Sequence, residues 1–198
     1  IGLWREVIGT RWDMVVDLRD SAVSRLIVAK ERYIYTKAIS RNQHKVEQIG
    51  AVMKLSPPLS PRVWVTEEQA ERAKIFIPDG GEVLGIGPTS NWIGKTWEAE
   101  KFIALIKILT APNGILPNAH VAIFAAPKEE DAAYKVLNSI PKDRQIDIIA
   151  KTDPATVIAA LARCSLYIGN DSGLMHSAAA AGVPTVGLFG PGYPDQYR

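Results

Sequence analysis

Apolar positions along this chain fall into short, nearly continuous runs, which alternate with longer stretches where they recur every three or four residues. The first kind reads as strands and the second as amphipathic helices. In the early part the pattern predicts strands over 14–18, 32–36 and 62–66, with helices around 43–53 and 67–76. A second series follows, with strands over 82–87, 120–126, 146–150, 166–170 and 185–189, separated by helices over 98–110, 129–139, 154–164 and 172–181. Strands apolar at successive positions are buried on both faces. Their regular alternation with helices implies an α/β fold built on parallel sheets with helices on both sides.

The segment "IFIPDGGE", residues 75–82, places a Pro-Asp-Gly-Gly breaker between the two series and is the one strong linker signal. It sets an expected boundary near Asp79, with a partial N-terminal domain over 1–78 and a second domain over 79–198. Five strands suffice for a small Rossmann-like domain in the second part, while about three leave the first incomplete. The sequence holds no internal repeat and no low-complexity tract beyond the alanines at 178–181. It opens on Ile1 and ends at Arg198 just after an expected strand, so both ends are expected to be trimmed.

Composition narrows the function classes. Of 198 residues, 47% are hydrophobic and 22% charged, which is ordinary for a globular chain. A net charge of +2, with no Lys/Arg block interleaved with aromatics, argues against a nucleic-acid partner. No apolar run approaches the about 18 residues of a membrane span, and no signal peptide is visible. Cys164, the single cysteine, rules out an internal disulfide framework and suits a reducing compartment, so a cytoplasmic location is expected.

Candidate chemistry gathers at strand ends. In "YIGNDSGLMHSAAAAGVPTVGLFGP", residues 167–191, an apolar strand runs into Asn170-Asp171-Ser172-Gly173 and then into a helix of small residues. Ligands of parallel α/β sheets bind at the carboxyl ends of strands. Ser172 suits an N-cap, Gly173 admits close backbone approach, and the helix N-terminus directs free N–H groups outward as an anion site. His176 lies one turn further on the same face. The same residues also fit a plain cap on a buried helix. A second cluster, "GIGPTSNWIGKTWEAEKF", residues 85–102, offers Thr89, Ser90 and Asn91 after a strand, then Lys95, which can neutralise a phosphate. Gly85 and Gly87 lack the third glycine of a dinucleotide fingerprint, so a dehydrogenase is rejected. Trp97 reads as packing. Glu129, after a further strand end, can accept hydrogen bonds from ribose hydroxyls or favour the start of the next helix.

These motifs carry a family resemblance. "GNDSGLMHSAAAAGVPTVGLFGP" is similar to the signature of glycosyltransferase family 9, the ADP-heptose:lipopolysaccharide heptosyltransferases. "GKTWEAEKF" resembles its Lys-x-Trp-Pro-x-Glu-x-Phe element, and "RWDMVVDLRDSAVSRLI", residues 11–27, resembles the second strand and helix of its N-terminal domain. The resemblance implies a GT-B fold of two Rossmann-like domains, with donor bound to the second and acceptor to the first. It implies that Lys95 acts on the donor's phosphates or sugar as the catalytic cation, that Thr89 and Ser90 donate to the diphosphate, and that Glu129 holds the ribose. Asp171 would bind sugar hydroxyls, while the Ser172, Gly173 and Leu174 backbone and His176 would bind the diphosphate.

The resemblance also implies inverting transfer of heptose from ADP-heptose to a lipid-linked lipopolysaccharide acceptor, by an enzyme in the cytoplasm or peripheral on the inner face of the bacterial inner membrane. No Asp-x-Asp occurs, so no metal or other cofactor is expected and Lys95, His176 and the helix N-terminus would stabilise the leaving diphosphate. Two departures stand out. Glu98 replaces the family's proline, and the first strand with its Gly-Asp turn, which carries the general base, has no counterpart before "RWDMVVDL". Alternatives are another GT-B enzyme, such as a UDP-sugar epimerase or transferase, and a non-catalytic nucleotide-binding module. Candidates for acceptor contacts are Arg19, Arg25, Arg41 and Lys45, which plain surface charge explains equally well.

Overall fold

A computed structural model of the chain describes all residues except Ile1, Tyr193 and Arg198, so the two terminal residues noted above lie outside the described residues. The chain divides into two units, Ile1–Pro61 with Tyr193–Arg198, and Arg62–Gly192. The division therefore falls before Arg62, not near Asp79. A helix, α4 (Glu67–Phe76), accounts for the difference: Ala73 and the adjoining Ile77 are fully buried in the second unit's core. The Pro-Asp-Gly-Gly segment is thus a turn inside one unit. Arg163 clasps it, donating to the Ile77 carbonyl and pairing with Asp79 at 2.5 Å.

Residues 62–66 form no strand, contrary to the sequence pattern. Prolines at 57, 58 and 61 precede them, and Thr66 is already the cap of α4. Its hydroxyl accepts from the Gln69 amide, while the Gln69 side chain accepts from the Thr66 amide. This reciprocal pairing satisfies two donors that the helix cannot pair and sets where it starts. An alternating run with no partner strand stays irregular, and Trp64 is left 87% exposed.

The second unit is a five-stranded parallel sheet: β3 (Val83–Gly87), β4 (His120–Ala125), β5 (Gln145–Ile149), β6 (Leu166–Asn170) and β7 (Thr185–Leu188). The spatial order is β5-β4-β3-β6-β7. Winding proceeds outward from β3 in one direction and then from β6 in the other, so the switch point lies between the carboxyl ends of β3 and β6. Helices α5 (Ala99–Leu109) and α6 (Glu130–Leu137) pack on one face; α4, α7 (Pro154–Leu161) and α8 (Gly173–Ala180) cover the other. Successive strand residues feed opposite cores. Leu84, Ile86, Val121, Ile123 and Ile168 serve the first face, and Val83, Ala122, Phe124, Ile148 and Tyr167 the second.

Gly85 and Gly87, the pair that suggests half a dinucleotide fingerprint, have a packing role instead. A Cβ on Gly87 would lie 1.9 Å from the Tyr167 hydroxyl, and one on Gly85 would lie 2.9 Å from Cys164 Sγ and 3.0 Å from the Tyr167 ring. The glycines clear space for a fully buried tyrosine. Burial pushes the Tyr167 phenol up and the Cys164 thiol up to about 12, so both stay neutral and unreactive.

The first unit contains α1 (Gly2–Val7), β1 (Trp12–Asp17), α2 (Ala22–Leu26), β2 (Ala29–Ile34) and α3 (Lys45–Met53). Its two strands pair in parallel, from Trp12 opposite Ala29 to Asp17 opposite Ile34. Just past β1 the chain turns on Asp17. Desolvation opposes its ionisation, but the Ser24 and Ser21 hydroxyls and the Arg19 and Ser21 amides outweigh that and hold the carboxyl far below the usual range. Among the described residues no helix is long and apolar enough to cross a membrane.

Candidate functional site

The carboxyl ends of β3, β4, β5 and β6 surround a cavity of about 510 Å³. Six of the nine residues to which the family resemblance gives a role line it: Thr89, Ser90, Glu129, Ser172, Gly173 and Leu174. Asn91, Thr152, Val157 and Ile158 contribute as well, so the wall is largely apolar with polar groups at the strand ends. That mixture is typical of a cleft that holds a flat ring and fixes its polar substituents. Ala150, at the end of β5, adopts a left-handed φ of 51° on the lining, a strained geometry often found at ligand sites.

Helix α8 enters the cavity by its N-terminus. Ser172 occupies the N-cap position with extended backbone, but its hydroxyl makes no capping bond and is buried without a partner. The capping role that the sequence offers is therefore not performed by the side chain. Gly173 and Leu174 begin the helix, where amides have no intrahelical acceptor. A Cβ on Gly173 would meet nothing within 4 Å, so no packing demand explains the glycine.

Thr89 and Glu129 bind each other. The Thr89 hydroxyl, 4% exposed, donates to Glu129 Oε2 at 2.6 Å, which commits its one proton and joins the ends of β3 and β4. Glu129 sits at the N-cap of α6 without a side-chain capping bond, so its carboxylate faces Thr89 and the cavity instead of the helix. Ser90 donates to the Trp92 carbonyl at 2.8 Å and lies 3.0 Å from the Thr96 hydroxyl, bracing the loop that follows β3.

That loop carries Lys95 in a short turn, Ile93–Lys95. Lys95, Asp171 and His176 do not line the cavity; they form a polar cluster next to Ser172. Lys95 Nζ lies 2.5 Å from Asp171 Oδ2, and His176 Nε2 lies 3.4 Å from Oδ1. Both carboxylate oxygens thus face nitrogen groups, although each keeps a second lone pair for a sugar hydroxyl. Asp171 is 7% exposed, and a carboxylate so placed needs these partners. Trp97 packs edge-on against Phe102 at 5.1 Å, as expected of a core ring. Glu98 sits at the N-cap of α5 without a side-chain capping bond, and its carboxylate pairs with Lys101 at 3.4 Å.

A second cavity, about 750 Å³, lies within the first unit past the ends of β1 and β2. Arg19, Arg41 and Lys45 line it, joined by Lys37 and by the Asp20 carboxylate; Arg25 does not line it but pairs with Asp20. Gln48, missed from sequence as a plain helix position, organises this wall. It is 1% exposed, donates to the Gln43 carbonyl at 2.6 Å and accepts from Tyr35 and Lys45 at 3.1 Å each. Among the described residues no group of three or more His, Cys, Asp or Glu is placed to hold a metal ion.

With this geometry in view, the chain can be set beside known proteins. The model of "Glycosyltransferase family 9 (heptosyltransferase)" matches residues 6–198. The chain belongs to glycosyltransferase family 9. Among family relatives, it is 29% identical over 196 residues to lipopolysaccharide heptosyltransferase 2 of Escherichia coli K12, covering 93% of this chain and 52% of that protein. It is 26% identical over 192 residues to lipooligosaccharide heptosyltransferase 2 of Campylobacter jejuni, covering 90% of this chain and 58% of the relative. This chain therefore spans a little over half the length of these two relatives. A solved structure of a family 9 glycosyl transferase from Veillonella parvula superposes with a TM-score of 0.81 at 21% identity, over 99% of this chain and 63% of that one, a likeness of fold.

Proposed function

We propose that this chain forms the donor-binding part of a heptosyltransferase that moves heptose from ADP-heptose to a lipopolysaccharide core acceptor, with inversion and without a metal. The observation that carries the reading is the cavity at the β3/β6 switch point, lined by Thr89, Glu129, Ser172, Gly173 and Leu174 and flanked by the Lys95–Asp171 pair. Its apolar wall suits the adenine and ribose, with Glu129 accepting from ribose hydroxyls. The α8 N-terminus and the orphaned Ser172 hydroxyl suit a diphosphate. An ammonium has three donors; Asp171 takes one, leaving Lys95 two for phosphate oxygens.

In the reaction, a carboxylate general base takes the proton of an acceptor hydroxyl, whose oxygen attacks the anomeric carbon opposite the diphosphate. The bond from that carbon to the diphosphate oxygen breaks, and its electron pair leaves with ADP. Charge grows on the departing diphosphate, and fixed cations and amide dipoles stabilise it without reorganising. Lys95, Ser172 and the α8 amides suit that task, with His176 behind Asp171. In the first unit, the cavity bearing Arg19, Lys37, Arg41 and Lys45 suits an anionic lipid-linked sugar, presented to an enzyme working at the cytoplasmic face of the inner membrane.

Calorimetric titration with ADP and with UDP, each with and without a chelator, tests the donor reading. ADP is expected to bind more tightly than UDP and to be indifferent to the chelator. Equal binding of UDP, or loss of ADP binding on chelation, would overturn it. Transfer of heptose from ADP-heptose by the full-length enzyme tests the reaction itself.

A further inference from the structure

Asn170 is the last residue of β6, fully buried and paired in the ladder opposite Leu188. Its side-chain oxygen accepts the Trp97 amide at 3.0 Å, across 73 residues of chain. A backbone N–H can be met only by an acceptor, so this bond fixes which way the carboxamide points. The Nδ2 group is buried with no partner. A buried asparagine with half its hydrogen-bonding capacity unmet is costly in a strand, where an apolar residue would pack without penalty. Trp97 lies two residues beyond Lys95, and Asp171, the residue that receives the Lys95 ammonium, directly follows Asn170. Consecutive residues of one strand end therefore hold the same loop twice, one by its backbone and one by its cation. Gly190 closes the far side: a Cβ there would lie 2.8 Å from the Gly94 carbonyl. The outer part of the loop is open to solvent, with Ile93 83% exposed, so these inner ties set its position.

We propose that Asn170 is a positioning residue: its bond to the Trp97 amide sets where Lys95 stands relative to the Asp171 carboxylate and the α8 N-terminus. The inference rests on the reading of Lys95 as the cation that meets the donor diphosphate.

A double-mutant cycle on ADP binding tests it. Asn170→Leu keeps the branched shape but removes the acceptor, and is expected to weaken ADP binding about tenfold, the scale of one lost hydrogen bond to a charged group. In a Lys95→Ala background the same substitution is expected to change affinity by less than about twofold, because the two act as one unit. An equal loss in both backgrounds means that Asn170 acts by general stability, and overturns the proposal. If Lys95→Ala alone leaves ADP affinity unchanged, the reading of Lys95 fails and the proposal fails with it. If Lys95→Ala weakens binding while Asn170→Leu does not, only the proposal fails. Asn170→Asp, which retains an accepting oxygen in the same place, is expected to stay within about threefold of the parent. It carries the test should Asn170→Leu not fold. A loss as large as that of Lys95→Ala would then contradict the proposal.

Discussion

Lys95 and Asp171 meet at 2.5 Å across 76 residues of chain, with the carboxylate 7% exposed and the ammonium side chain 28% exposed. The pair joins the loop after β3 to the turn after β6, on the two sides of the switch point. Breaking such a pair by removing the cation leaves a buried anion, so function and stability are both at stake in Lys95.

Gly173 separates a ligand role from a packing role. No atom lies within 4 Å of a Cβ built there, so Gly173→Ala removes a flexible residue from the first turn of α8 at no steric cost. The thermal midpoint is expected to hold or rise slightly while ADP affinity falls, because on the proposed reading the added methyl stands in the path of the diphosphate. Unchanged affinity would mean that the ligand does not approach this backbone.

Tyr167 and Gly87 are a steric pair. The Tyr167 hydroxyl is buried without a partner, so Tyr167→Phe is expected to raise stability by about 1 kcal/mol through relief of desolvation. Gly87→Ala forces a methyl to 1.9 Å from that oxygen and is expected to destabilise strongly in the parent, and much less in a Tyr167→Phe background. Urea melts of the four proteins measure the coupling. Additive effects would contradict it.

Asp153 ties stability to acid. It caps α7, accepting from the Ala155 and Thr156 amides at 3.1 and 3.0 Å and pairing with Arg72 at 2.9 Å. The Thr156 amide and hydroxyl, aided by Arg72, lower its carboxyl to about 2. Because the folded value is depressed, the stabilisation is full above the unfolded value, near about 4, and is lost as pH falls towards about 2. Asp153→Asn keeps a capping oxygen without the charge. It is expected to melt below the parent at pH 7 and to match it near pH 2.

The strands of the second unit were legible because each is apolar on successive positions, and both faces of a doubly covered sheet demand that. Leu166–Asn170 and Glu67–Phe76 matched at both ends, and the other elements that formed shifted at one end or both, as helix and strand ends commonly do. The run at 62–66 failed because alternation marks a strand only where a neighbour accepts it, and pairing is not written locally. The boundary failed because Pro-Asp-Gly-Gly signals a turn whether or not two units meet there. Within the site, residue types at strand ends pointed to the cavity, but their partners were hidden. That Thr89 turns to Glu129 and that Asn170 holds Trp97 are contacts between distant positions, which spacing cannot disclose.

The central claim is that a protein cation at the β3/β6 switch point meets the donor's diphosphate. Titration of ADP and of adenosine into the parent, Lys95→Ala and Lys95→Arg, with thermal melts as a control for folding, tests it most directly. Lys95→Ala is expected to lose about tenfold to a hundredfold in ADP affinity, the loss of a charge-assisted bond of about 1.5–3 kcal/mol, and nothing for adenosine. Lys95→Arg is expected to recover part, since a planar guanidinium places its charge differently. A folded Lys95→Ala protein that binds ADP as the parent does, or that loses adenosine equally, would contradict the account.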